Sequence, residues 1–246
     1  MLMTGVNRSL TFTLPSIDRE IINPLRRSKN MELETFAYFI VPRDHHIHNP
    51  RTGEIGFIGK SFPAALSQWS HVEESVGDDT DNPGEMAIFS GAPWHYDSTT
   101  VRNLYIYLST LEQCFDKFVA KQQFDALVIC RPDILVFPGL EILRKIRLLS
   151  WLSMLFHRVA IVPSWHQWGG VNDRFAILSH RAAREYLTRI RLVLELPKNN
   201  GLINSEMLLK LALEKTLTLP WISTPMLRVR MGNRLHQSDI DCFFGT

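Results

Sequence analysis

Two short apolar runs frame the middle of the chain, residues 126–130 and 134–137, with Arg131, Pro132 and Asp133 between them. Uninterrupted apolar runs of this kind read as strand buried on both faces, so a central strand is predicted with an Arg and an Asp at its end. Val101, Leu104, Tyr105, Leu108, Leu111, Phe115, Phe118 and Val119 recur at the 3.6-residue period and predict a long helix over residues 98–122. Ile17, Ile21, Ile22 and Leu25 make a similar stripe behind Pro15 and Ser16. They predict a helix capped by Ser16 and ending near Arg27, with Pro24 shortening it. Residues 35–41, 159–162 and 175–178 are compact strand candidates, and residues 140–149 a helix. Further helices are expected from a Ser179 cap to about residue 190, and from Asn204 or Ser205 to about residue 215. Short strands near 217–219 and 227–229 close the chain.

Strands alternating with helices predict an α/β fold around a mostly parallel sheet flanked by helices. No linker-like break divides the 246 residues, so a single domain over 1–246 is expected. Residues 43–97 stand apart. They are rich in Pro, Gly, His, Asn and Asp, and read as loops and short elements laid on the core.

Composition narrows the class. Hydrophobic residues make up 45% and charged residues 21%, enough for a sizeable core. A net charge of +2 is too small to draw nucleic acid by bulk electrostatics, so no nucleic-acid partner is expected. Cys114 and Cys130 fall inside apolar patterns, and with Cys242 they give no disulfide or zinc spacing. That favours a reducing compartment, and a cytoplasmic location is expected. No run has the length of a signal peptide or of a spanning helix. Residues 148–156 are apolar and follow Arg144, Lys145 and Arg147. Two readings fit them: a buried helix, or a basic and apolar surface peripheral to an anionic membrane.

Four constellations carry candidate chemistry. In the first, Pro132 fixes its own φ and pushes Arg131 toward an extended backbone, so Arg131 and Asp133 are held at a strand end. Open α/β sheets bind ligands at such ends. Asp133 could hold a divalent cation that grips a diphosphate, Arg131 could grip the phosphate itself, or the two could form an ion pair that closes the strand. The second is the loop Trp168-Gly169-Gly170-Val171-Asn172-Asp173-Arg174, where glycines admit close backbone approach and Trp165 and Trp168 offer stacking faces. Asp173 there is a candidate general base. The third is the opening turn Gly5-Val6-Asn7-Arg8-Ser9, whose amides and Arg8 suit phosphate, although it has neither the P-loop nor the GxGxxG pattern. The fourth is Asn204-Ser205-Glu206, in which Glu206 either complements a helix dipole or faces a site. Asp79-Thr80-Asp81 and Asp44-His45-His46-Ile47-His48 read as solvated loops. His236 is an isolated candidate metal ligand.

Taken together these motifs resemble the GT-A-type nucleotide-sugar glycosyltransferases that build surface glycans such as capsule, O-antigen or viral glycans. Gly5-x-x-Arg8-Ser9 ahead of a helix with Ser16 and Pro24-Leu25 is similar to the opening of that group. Arg131-Pro132-Asp133 stands where the usual DxD is found. Gly170-Val-Asn-Asp-Arg-Phe-Ala176, Asn204-Ser-Glu206 and Arg228-Val-Arg230 follow in the same order, and Arg102-Asn103 also fits. The resemblance implies a Rossmann-like fold. It also implies a hexosyl- or pentosyltransferase moving a sugar from a nucleoside diphosphate, UDP first, to a hydroxyl of a glycan or lipid-linked acceptor. Gly5, Arg8, Ser9, Arg102, Arg131 and Asp133 would lie at the donor. Trp168, Gly169, Gly170, Asn172 and Arg174 would lie at the sugar or acceptor. Asp173 would be the base, with Glu206 as competitor. Mn²⁺ or Mg²⁺ would sit on Asp133, with His236 as a further ligand, unless Arg131 takes over its charge. The alternatives are a sugar nucleotidyltransferase and a non-catalytic glycan-binding domain of the same fold.

Overall fold

The computed structural model describes residues 1–41, 46–49, 54–58, 64–76, 83–92, 94, 96–195 and 204–245. The chain opens with β1 (Leu2–Val6), α1 (Leu10–Ile17), α2 (Asn23–Arg27) and β2 (Phe36–Val41). The irregular region contributes β3 (His46–Asn49), β4 (Glu54–Phe57), β5 (His71–Val76) and α3 (Pro83–Ser90). Then come α4 (Ser98–Cys114), β6 (Leu127–Cys130), β7 (Ile134–Val136), α5 (Ile142–Phe156), β8 (Val159–Pro163) and β9 (Phe175–Leu178). The remainder is α6 (His180–Leu187), α7 (Ile190–Glu195), α8 (Ser205–Ala212), β10 (Leu217–Ile222), β11 (Met226–Arg230), β12 (Arg234–Leu235) and α9 (Gln237–Phe244).

Seven strands form the main sheet in the order β10-β8-β9-β6-β1-β2-β5. All pair in parallel except β9, which runs antiparallel to both β6 and β8. The expected α/β fold with a mostly parallel sheet flanked by helices is therefore what the chain adopts. Because side chains alternate across a strand, each strand feeds two cores. Leu2, Phe36, Tyr38, Leu127, Ile129 and Leu178 pack on one face with α4 and α6. Met3, Ala37, Phe39, Val128, Cys130 and Ile177 pack on the other with α1 and α5. Cys114 and Cys130 are buried, as their apolar settings predict, and all three cysteines are free.

Several elements differ from expectation for identifiable reasons. The opening turn is not a loop: residues 2–6 are β1, an interior strand of the main sheet, with Leu2, Met3, Thr4 and Gly5 buried. Ser9, not Ser16, precedes the first helix, and Pro15 lies inside it. Ser16 instead accepts a hydrogen bond from the Val136 amide at 3.0 Å, tying the helix to β7. A π turn at Asp18–Ile22 separates α1 from α2, between two prolines that already interrupt the regular ladder. The single strand expected around Arg131 is two strands in different sheets. β6 belongs to the main sheet, and β7 pairs with β11 in a three-stranded sheet β12-β11-β7. Helix α5 is not buried all round; it keeps one apolar face exposed. Within the irregular region, β5 extends the main sheet as its edge strand. Its polar sequence suits an edge. Asp79, Asp81, Asp44 and His45 lie outside the described residues.

Candidate functional site

The sheet order reverses at β1. From there β2 and β5 extend one way, and β6 and the later strands the other. The crevice outside the carboxyl ends of β1 and β6 is thus the topological switch point, the usual ligand position in open α/β sheets. The chain leaves β1 into Arg8 and Ser9, and leaves β6 into Arg131-Pro132-Asp133. The antiparallel β9 enters from the same edge, which brings Asn172, Asp173 and Arg174 alongside; the Arg131 amide donates to the Arg174 carbonyl at 3.3 Å.

Gly5 makes the first juxtaposition. Its φ is 139°, and a Cβ there would come within 3.1 Å of the Pro132 ring. Ser9 donates to the Val229 carbonyl at 3.1 Å, and Thr13 to the Pro132 carbonyl at 2.5 Å. The Val229 amide donates to the Asp133 carbonyl at 2.8 Å. This lattice presents Arg230 to the same corner.

Asp133 lies at the bottom of the corner, 1% exposed. Arg131 grips it with both arms of its fork, Nε to Oδ1 at 2.9 Å and Nη2 to Oδ2 at 2.8 Å. Arg8 Nη2 approaches Oδ2 at 3.3 Å. Arg8 and Arg230 also share Glu54, at 2.7 and 3.6 Å. Burial opposes the charge on Asp133, but Arg131 and Arg8 outweigh it and hold the carboxyl far below the ordinary range. Burial and the charge of Arg8 pull Arg230 down to about 10, so it stays cationic at neutral pH. Three guanidinium groups face two carboxylates, and the carboxylates are the deeper groups. An approaching anion meets arginine first.

A second cluster surrounds Asp173. Its Oδ2 accepts from the Ser205 hydroxyl at 2.6 Å, and Arg189 Nη2 lies 3.7 Å away. Tyr186 donates to the Asp173 carbonyl at 2.8 Å. Tyr107 links the clusters, because the guanidinium groups of Arg131 and Arg189 lie 5.7 and 5.8 Å from its ring centre. Glu206 stands in the first turn of α8, whose N-cap Asn204 accepts from the Met207 amide at 2.8 Å. Burial, and then the charge of Asp173, push the Glu206 carboxyl up to about 7.

The Trp-Gly-Gly loop packs against that helix start. Trp168 and Gly169 take positive φ, 46° and 81°, and Asn204 donates to the Trp168 carbonyl at 3.0 Å. Trp168 is exposed at the rim. A Cβ on Gly170 would lie 2.0 Å from the Glu206 carbonyl group, so only glycine fits. Gly170→Ala is expected to lower stability by about 1–3 kcal/mol, the usual cost of overpacking, read as a fall in the urea midpoint. An unchanged midpoint would show that the loop does not hold the helix start.

Asn172 and Arg174 are buried and bonded within the chain. Asn172 donates to the Trp165 carbonyl at 2.9 Å. Arg174 Nη1 meets Asp239 at 3.0 Å. Asp239 is fully buried and accepts three hydrogen bonds from Arg228: from the amide at 2.7 Å, Nε at 3.0 Å and Nη2 at 2.8 Å. Burial opposes its charge, but the bonds from Arg228 and the charge of Arg174 win and hold it at about 2. Asp239, Glu54, Arg189, Tyr107 and Tyr186 are members of these clusters that the sequence pattern did not single out. Arg102 lies on the exposed face of α4. His236 Nδ1 lies 3.0 Å from Arg228 Nη2 and 2.9 Å from the Ser238 hydroxyl. Burial and Arg228 pull its pKa to about 4.

The donor set does not fit a divalent cation. Both Asp133 oxygens carry guanidinium N–H groups, and His236 faces an arginine. Among the described residues no three His, Cys, Asp or Glu side chains converge as metal ligands. No described helix is long and apolar enough to cross a membrane.

No protein-family model matches this chain, and no curated protein matches it. Among solved structures, mouse xyloside xylosyltransferase 1 in its apo form is similar over 88% of this chain and 83% of its own. The TM-score is 0.43 and the identity 10%. So distant a likeness says nothing of activity.

Proposed function

We propose that the chain is a glycosyltransferase that moves a sugar from a nucleoside diphosphate to a glycan hydroxyl. One observation carries the reading. At the switch point of the sheet, Arg131 and Arg8 cover Asp133 and Arg8 and Arg230 cover Glu54, beside a second cluster that holds a carboxyl group tuned to about 7. Breaking a glycosidic C–O bond to a diphosphate develops negative charge on the leaving oxygens, and preorganised cations stabilise it. Attack by a hydroxyl calls for a base whose pKa lies near the working pH. The order of the sequence motifs supports the same assignment.

In this reading Arg131, Arg8 and Arg230 bind the diphosphate. Asp133 and Glu54 lie beneath and orient them. Glu206 takes the proton from the acceptor hydroxyl, and Asp173 positions Ser205 and Arg189 around it. The guanidinium cluster supplies the charge that a divalent cation would bring, so transfer runs without one.

The test is thermal unfolding with nucleoside diphosphates and their sugars, UDP first, in the presence of EDTA. A ligand at 100 times its Kd adds about 2.7 kcal/mol, which raises Tm by roughly 5–10 °C in a chain of this size. Stabilisation in EDTA is expected. Stabilisation only on adding Mn²⁺ would overturn the arginine role, and no response to any nucleotide would overturn the donor class.

A further inference from the structure

We infer that the exposed face of α5 docks the protein on an anionic phospholipid bilayer. The inference is independent of the transferase reading. Ile142, Ile146, Leu149 and Leu152 bury one side of α5. On the other side Trp151, Met154 and Leu155 are 55%, 71% and 59% exposed, and Phe156, the last residue of the helix, is 53% exposed. Single exposed apolar residues are ordinary, but four in the last two turns of one helix form a patch that marks an interaction surface. At roughly 100° per residue, Arg144, Arg147, Trp151, Met154 and Leu155 fall within an arc of about 100°. The face is therefore one stripe, basic at its start and apolar at its end.

The neighbouring surface continues the basic half. Between α2 and α5 lies a cleft of about 460 Å3 lined by Arg19, Asn23, Arg27, Lys29, Leu143 and Arg147. Glu20 pairs with Arg19 and Glu141 with Arg144. Arg27, Lys29 and Arg147 make no ion pair with any described residue. Uncompensated cations beside exposed Trp, Leu and Phe are the features of a helix lying in a bilayer interface, with its apolar side in the acyl boundary and its cations at the headgroups. The 15 residues of α5 span about 22 Å, so the helix lies in the plane rather than across it.

A second copy of the chain fits this surface less well. Parallel pairing would set Arg144 and Arg147 against their own copies, and antiparallel pairing would bury them against the partner's apolar turn. Two residues join α5 to β8, so Phe156 sits at the amino edge of the sheet, opposite the edge that holds Asp133. Membrane contact leaves the candidate crevice open.

The test is flotation of the full chain with vesicles of phosphatidylcholine alone, or of phosphatidylcholine and phosphatidylglycerol in equal parts. The protein is expected to float with the anionic vesicles and not with the neutral ones. Trp151→Ser with Leu155→Ser should reduce the bound fraction at least about tenfold, as loss of two apolar insertions implies. Arg144→Glu with Arg147→Glu should do the same by charge. Both variants change exposed residues and should keep the parent Tm. Nucleotide-induced stabilisation should also be unchanged, which separates this inference from the proposed activity. Equal binding to both vesicle types would overturn it. So would no vesicle binding together with a dimer in light scattering that the same substitutions dissociate.

Discussion

Asp133→Ala is expected to abolish transfer and to lower stability by about 3–5 kcal/mol, the cost of removing one partner of a buried ion pair. The carboxylate is 1% exposed, and its two oxygens receive Arg131 and Arg8. Without it, three like charges are left crowded at the ends of β1, β6 and β11, with Glu54 alone to offset them. Urea unfolding reads the stability term. The folded pKa of Asp133 is depressed, so its contribution is full above the unfolded value near 4 and drains away as pH falls below that value. The difference between parent and variant should accordingly shrink in acid. Arg131→Lys separates folding from chemistry. It keeps the charge but loses the two-armed grip, and should stay folded while transfer drops about 10²-fold or more. An Asp133→Ala protein with parental stability and full transfer would remove the arginine corner from both roles. If Mn²⁺ restored transfer to Arg131→Lys, the cation would belong in the site after all.

How far the sequence foretold this corner depends on where each partner lies along the chain. Arg131, Pro132 and Asp133 are adjacent, and their place at the end of a buried apolar run was legible from periodicity alone. The register of β6 against β9 then carried Asp173 and Arg174 to the same edge, as the alternation of strands allowed. Strand β1 was hidden, because Thr4 and Gly5 look like a turn. Glycine is there to admit Pro132 from the end of the neighbouring strand β6, a contact 127 residues away in sequence. Glu54 sits in a stretch whose composition reads as loop. Asp239 lies in the helix Gln237–Phe244, beyond the last element that the sequence pattern predicted. Its burial beneath Arg174 and Arg228 depends on β11 pairing with β7, and no local pattern encodes that pairing. Arg189 falls at the end of the helix predicted from Ser179 to about residue 190, where it looks like a surface cation, and it is fully buried against Tyr186. Apolar periodicity thus located the layers. The polar contacts between distant segments, which decide which charges are buried, required the tertiary fold.

The same long-range packing underlies the proposed choice of Glu206 over Asp173 as base. Glu206→Gln is expected to lower transfer by about 10²–10⁴-fold, the range for loss of a general base. Burial and Asp173 place the Glu206 carboxyl at about 7, whereas the Asp173 carboxylate is taken up by Ser205 and Arg189. For the parent protein kcat/KM should rise with pH through about 7 and then level, and the glutamine variant should lack that limb. Stability should move the opposite way. A carboxyl whose folded pKa is raised favours folding when protonated, so the parent loses stability as pH rises from the unfolded value toward 7. Glu206→Gln avoids that loss and should be more stable than the parent by about 1–3 kcal/mol at pH 8, with no gain at pH 4. A merely structural glutamate would show the stability change without the lost limb. If the variant kept both its rate and its rise through neutral pH, the proton would pass to Asp173 instead. The base would then be the carboxylate that Ser205 and Arg189 already hold in place.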